Sequence, residues 1–185
     1  IMSLHIIDDS EVESTMNQDG TWSKAQGGTE LMNKALYERV DSGLLEQFNI
    51  IKSRVRHVSE DKKNILWLHD LWSDPEAQHL KDPKSHERFA RLVFVSNWQL
   101  QTYNLALGVP YHESIVLKNA IDPIPLVEKP KDQIRLIYHT TPHRGLQILV
   151  PVMEELAKIH GDAIHLDIYS SFAAYGWEER AEPYL

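Results

Sequence analysis

The chain has 185 residues, 42% of them hydrophobic, with no cysteine and a formal net charge of -8. That length suffices for one large domain or two small ones, each with a core. The acidic balance argues against a general nucleic-acid binder, which needs a basic surface to neutralise phosphates. The lack of cysteine removes disulfides, thiolate metal sites and cysteine nucleophiles, and a reducing compartment is the simplest setting. The longest apolar runs are too short to span a bilayer, and the start "IMSLHIIDDS" lacks a basic n-region with an extended apolar core. The chain reads as cytoplasmic, with peripheral membrane association left open.

In chain order, "LHII" (residues 4–7) is the first strand candidate. The polar stretch "DSEVESTMNQDGTWSKAQ" follows, long enough to be either functional or mobile. "AQGGTELMNKALYERV" (residues 25–40) reads as an amphipathic helix opened by Gly27 and Gly28, with Met32, Ala35, Leu36 and Val40 at helical spacing. Two glycines at a helix start suit a plain turn, or a backbone that a ligand must approach closely. Further apolar runs fall at 49–51, 65–68, 92–95, 114–117, 134–138 and 164–169. Several are continuous rather than alternating, as in parallel strands buried on both faces, so the class is α/β.

The run at 92–95 leads into Ser96-Asn97-Trp98-Gln99, a capping-box pattern. Trp98, Gln101, Thr102 and Leu105 would share a helix face, and Gly108 with Pro110 would stop the helix. After 134–138 comes "TTPHRG", where Thr141 suits an N-cap and Pro142 a first helical position. That helix would run to Gly161, with Pro151 as a kink site. Between them "DPIPLVEKPKD" carries three prolines and five charged residues without apolar period, as a linker does.

The polar residues that follow the strands would crowd the carboxyl rim of a parallel sheet, where ligands bind. These are His69 and Asp70, Ser96 and Asn97, Lys118, Asn119 and Asp122, and His139, Thr140, Thr141 and Arg144. Each also has a structural reading. Asp70 would cap a short helix through "DPEAQHL", and His69 would be a satisfied core histidine or a proton-handling group. Asn119 suits a turn. "TTPHRG" brings hydroxyls, a helix start and a guanidinium together, a combination suited to a diphosphate. Dinucleotide and P-loop glycine motifs are absent, no H-E-x-x-H zincin motif occurs, and no D-x-D pair is present to hold a metal.

"GGTE", "WLHD", "FVSNWQ", "VLKNAID" and "IYHTTPHRGLQIL", in this order over nearly the whole chain, resemble the retaining glycosyltransferases of family 4, in branches like those of bacteria and large viruses. The resemblance implies a GT-B architecture of Rossmann-like domains: an amino-terminal, acceptor-side domain over 1–124, a linker over 125–132, and over 133–185 the incomplete start of a nucleotide-sugar-binding domain. It implies transfer of a hexosyl group from a nucleotide-diphosphate sugar to a glycan or other acceptor, without cofactor, metal or nucleic acid. His69 and Asp70 would then be catalytic, and Gly27, Gly28, Thr140, Thr141, Arg144 and Gly145 would bind the donor. Glu30 and Asn119 are further cleft candidates.

The family's later glutamate pair would lie beyond Leu185, so the resemblance further implies a longer enzyme of which this portion alone is inactive. The commonest pattern has a further arginine where this chain has His139 and Thr140. A GT-B nucleotide-sugar isomerase and a noncatalytic nucleotide-sugar-binding partner are the alternatives. Donor, acceptor and oligomeric state are not legible.

Overall fold

The computed structural model describes residues 2–5, 15–16, 22–23, 27–172 and 180. In chain order the elements are β1 (Met2–His5), β2 (Thr15–Met16), β3 (Trp22–Ser23), α1 (Gly28–Arg39), α2 (Ser42–Leu45), β4 (Phe48–Lys52) and β5 (Lys63–Leu68). Next come a 3-10 helix (Pro75–Lys81), α3 (Pro83–His86), β6 (Arg91–Phe94), α4 (Asn97–Leu107), β7 (Ser114–Val116), β8 (Ile134–Tyr138), α5 (Leu146–His160) and β9 (Ile164–Tyr169). Residues 28–122 form one compact unit, and β1 with residues 123–172 belongs to another.

The first unit is built on a four-stranded parallel sheet in the order β4-β5-β6-β7. The continuous apolar runs explain it, since on the two inner strands consecutive residues are buried: Leu66, Trp67 and Leu68 on β5, and Leu92, Val93 and Phe94 on β6. Ile51, Leu66, Leu68, Leu92 and Phe94 pack with Leu100, Tyr103 and Leu107 of α4 and with Ala77 and Leu80 of the 3-10 helix. Each fully buried leucine contributes about 1.5–3 kcal/mol. The Tyr103 ring meets Phe94 edge-on, with centroids 5.1 Å apart.

Helix α4 starts on Ser96, whose Oγ accepts the Gln99 N–H at 3.0 Å, and ends on Gly108 in the left-handed region (φ 74°). Two details depart from the sequence reading. The Gln99 side chain does not return to the cap residue; its Oε1 accepts the Val95 N–H at 2.8 Å. The helix also presents another face to the core, because Trp98 and Leu105 are exposed (60% and 77%) while Gln99, Leu100 and Tyr103 are buried. Gln99 has polar partners waiting beneath the helix, and that outweighs the apolar character of Trp98. Asp70 caps no helix; the 3-10 helix is capped by Asp74, which accepts the Glu76 N–H at 2.8 Å.

The second unit has a three-stranded parallel sheet in the order β1-β9-β8. The first strand, placed by sequence over 4–7 within the amino-terminal domain, is Met2–His5 and pairs with β9, Met2 opposite Leu166 and His5 opposite Tyr169. A short apolar run carries no record of which sheet edge it joins, and β9 offers one. Residues 121–130 are exposed and have no regular secondary structure. Met153 of α5 packs on Ile164, Leu166 and Ile168 of β9. β8 is not buried on both faces as its apolar run suggests: Ile134 and Ile137 are exposed on this edge strand.

Helix α5 starts four residues later than its sequence signals imply. Residues 142–145 form a turn, Gly145 (φ 99°) stands at the N-cap, and Thr141 is not the cap. A left-handed residue cannot continue a helix from Pro142, so the regular ladder begins only after it. Pro151 sits inside the helix, which continues to His160.

The exposed and buried faces of α4 predict opposite outcomes for two leucines. Leu100→Ala should lower unfolding free energy in urea by about 2–5 kcal/mol, whereas Leu105→Ala should stay within about 0.5 kcal/mol of the parent.

Candidate functional site

Two clusters carry unusual polar chemistry, one in each unit. In the first, β4 and β5 end side by side, Lys52 opposite Trp67. His69 and Asp70 follow at once. Three side chains fix this end. Ser53 Oγ accepts the His69 N–H at 2.9 Å, the Gln99 amide Nε2 donates to the carbonyls of Leu68 (3.2 Å) and Asp70 (2.8 Å), and the Tyr103 hydroxyl donates to Asp70 O at 3.1 Å.

The His69 ring lies against Trp67, centroids 4.6 Å apart and tilted by 52°. Both ring nitrogens His69 Nε2 and Trp67 Nε1 are buried and unpartnered. Buried polar atoms are seldom left so, and each exception calls for an explanation. Burial lowers the His69 pKa below the ordinary histidine value, with Asp70 opposing and Lys52 adding to the shift. Lys52 is itself lowered by burial, with Glu30 of α1 opposing. The site therefore gathers a histidine and a lysine, both lowered by burial, beside Asp70 and Glu30.

The remaining candidates lie at the start of α1 and in the segment after β7. Gly27 is a half-buried bend before α1, and Gly28 is the first residue of that helix. A Cβ added at Gly28 would meet nothing within 4 Å, so packing does not demand glycine there. Asn119 lines a cleft of about 530 Å³ between α1 and residues 117–122, walled by Trp67, Met32 and Leu36. Arg39 and Asp122, which also line it, are joined by a two-pronged ion pair at 2.9 and 3.0 Å.

In the second unit, Thr140, Thr141, Arg144 and Gly145 make the turn from β8 into α5. Thr140 O accepts the Ser170 hydroxyl at 2.6 Å, and Thr141 O accepts both the Tyr138 hydroxyl at 2.8 Å and the Arg144 N–H at 3.1 Å. The Thr141 hydroxyl is buried and unpartnered, and no side chain caps α5. Arg144 is exposed, and the neighbouring His143 ring stacks on Phe172 with centroids 5.6 Å apart. An uncapped helix start next to an unfilled hydroxyl is receptive to an anion.

Lys52, Ser53, Gln99 and Tyr103 escaped the sequence reading as parts of the site. Lys52 could have been found by the rule that located His69, since it too ends a parallel strand. Gln99 was absorbed by its capping context, and Ser53 carries no sequence signal for its backbone conformation.

Among the described residues no group of three or more His, Asp or Glu is placed to hold a metal ion, and no helix is long and apolar enough to cross a membrane. No protein-family model matches the chain, and comparison with the curated proteins gives no match.

The lowered His69 pKa fixes a pH dependence. The unfolded histidine takes up its proton near pH 6.5, the folded one only at lower pH, so in that window the unfolded state binds more protons and stability rises with pH. His79 acts in the same sense, lowered by burial and then by Arg88 and His86 against Glu76. Urea unfolding between pH 7 and 5 should show stability falling with acidification, and His69→Gln should flatten part of that fall while leaving the share due to His79.

Proposed function

We propose that this chain belongs to a retaining glycosyltransferase of the family 4 type, with GT-B architecture, which moves a hexosyl group from a nucleotide-diphosphate sugar to a glycan or other acceptor in the cytoplasm. The observation that carries the reading is the turn into α5, where a buried, unpartnered Thr141 hydroxyl lies beside an uncapped helix start and Arg144. Such a turn suits a diphosphate, whose oxygens accept hydrogen bonds from hydroxyl and amide and whose charge matches a guanidinium.

On this reading the leaving diphosphate is the group whose charge grows as the glycosidic bond breaks. Donors fixed in advance around it supply the main stabilisation. Arg144 and the Thr141 hydroxyl hold that role. His69 acts at the sugar: an uncharged imidazole with a free Nε2 can hydrogen-bond a hydroxyl without opposing the positive charge that develops on the ring. Asp70 lies beside it and favours that charge. Glu30 acts on Lys52 through its charge, and Gly27, Gly28 and Asn119 are carried over from the resemblance as donor-side and cleft candidates.

Calorimetric titration with nucleoside diphosphates tests the assignment. Arg144→Ala should weaken binding by about 1.5–3 kcal/mol, the range for hydrogen bonds to charged groups. The nucleoside without phosphate should bind both forms equally, and Arg144→Lys should recover part of the loss as a point charge without the planar fork. Equal diphosphate affinity in Arg144→Ala and the parent would remove the site.

A further inference from the structure

Ser53 is the one non-glycine among the described residues with positive φ, at 53°. The Arg54 N–H donates back to Lys52 O across it, the pattern of the γ-turn with positive φ, which is rare and strained. The residue is buried, so the conformation is no surface accident. Glycine would sit in this backbone with less strain. Yet serine stands there, and both its groups are used: the Ser53 N–H donates to Trp67 O at 2.9 Å, and Oγ accepts the His69 N–H at 2.9 Å. The first bond needs only backbone and would survive a change to glycine. The second needs the hydroxyl.

Trp67 and His69 are alternate residues on one chain, and their side chains carry the two unpartnered ring nitrogens of the first cluster. Ser53 grips this chain at both points, at the Trp67 carbonyl and at the His69 amide. Strained backbone retained beside unfilled polar atoms is the pattern expected where geometry serves a site rather than the fold.

We propose that Ser53 is a positioning residue, whose left-handed backbone is kept in order to aim its hydroxyl at the His69 amide and so hold the imidazole in its buried place against Trp67. As an account of catalysis this rests on the transferase reading. As an account of what holds His69 it does not, and the test reads His69 directly, so that failure of either is separable.

The charged groups acting on His69 are Asp70 and Lys52, neither of which is altered. Three variants divide backbone from hydroxyl. Ser53→Gly relieves the strain and removes the acceptor, Ser53→Thr keeps the acceptor but places a β-branched residue at positive φ, and Ser53→Ala does neither favour. Imidazole NMR over a pH series gives the His69 midpoint, amide exchange gives the protection of its N–H, and thermal unfolding gives Tm.

Ser53→Gly should keep Tm within about 3 °C of the parent, yet raise the His69 midpoint by about half a unit or more as water reaches the ring. It should also speed His69 amide exchange by about tenfold. Ser53→Thr should lose Tm and keep the parent midpoint, and Ser53→Ala should lose both. A serine that merely filled space would move Tm and midpoint together across the three. An unchanged His69 midpoint and exchange rate in Ser53→Gly overturns the proposal, and this variant decides alone if Ser53→Thr does not fold.

Discussion

The first unit depends on how the chain leaves β5. A central parallel strand buried on both faces must deliver its last peptides out of the sheet while their carbonyls and amides are still shielded from water, and each one left unpaired costs about 1–3 kcal/mol. Gln99 meets most of that demand. One amide side chain accepts from Val95 at the end of β6 and donates to Leu68 and Asp70 at the end of β5. It thereby ties both strand ends to the first turn of α4. Tyr103, one turn further along, adds its hydroxyl to the same Asp70 carbonyl while its ring fills the core against Phe94. The packing of α4 and the presentation of His69 are therefore one constraint, since a shift of the helix would break the bonds that hold the loop.

Two histidines of this unit show why burial alone does not mark a working group. His79 and His69 are both held below the ordinary histidine value, largely by burial. His79 Nδ1, however, lies 2.6 Å from Ser85 Oγ and 3.0 Å from the Arg88 guanidinium. A guanidinium can only donate, so this nitrogen accepts and is occupied. His86 is engaged at both ends, Nε2 with Leu80 O at 2.7 Å and Nδ1 near the Glu113 carboxylate at 3.2 Å. Those rings join the 3-10 helix, α3 and the segment before β7. The Nε2 of His79 is buried and unpartnered like that of His69, so what sets His69 apart is its place at the carboxyl end of β5, where Ser53, Gln99 and Tyr103 hold the backbone on both sides of it.

The legibility of the sequence follows the range of the interactions. Ser96 as a cap and Gly108 as a stop were readable because both depend on the chain within four residues. The parallel strands and the position of His69 and Asp70 at the sheet rim were readable because continuous apolar runs require burial on both faces. Most of what failed depended on a distant partner, while the start of α5 failed for a local reason. Leu105 and Trp98 look apolar enough to face the core, but the polar groups awaiting Gln99 turn the helix the other way. Thr141-Pro142 has local cap chemistry, yet Gly145 in the left-handed region delays α5. Asp70 and Asp74 are equally good caps on paper, and the former's carbonyl is already committed to α4. The pairing of β1 with β9 joins residues more than 150 apart in sequence, a separation at which periodicity is silent.

The turn into α5 raises a last question of balance. Its hydroxyl is buried without a partner, and its helix begins on a left-handed glycine without a side-chain cap, a deficit of about a few tenths of a kcal/mol against a side-chain cap. Pro151 withdraws a further hydrogen bond from the same helix. Propensity therefore does not hold α5; burial does, through Met153 on Ile164, Leu166 and Ile168 and through Leu146, Leu149 and Leu156 around them. A helix anchored by its apolar face can do without a side-chain cap. The turn itself is ordered through its carbonyls: Thr141 O accepts the Tyr138 hydroxyl and the Arg144 N–H, and Thr140 O accepts the Ser170 hydroxyl. An anion arriving at that turn would find its partners already oriented, and the free energy missing from the helix start would return as binding.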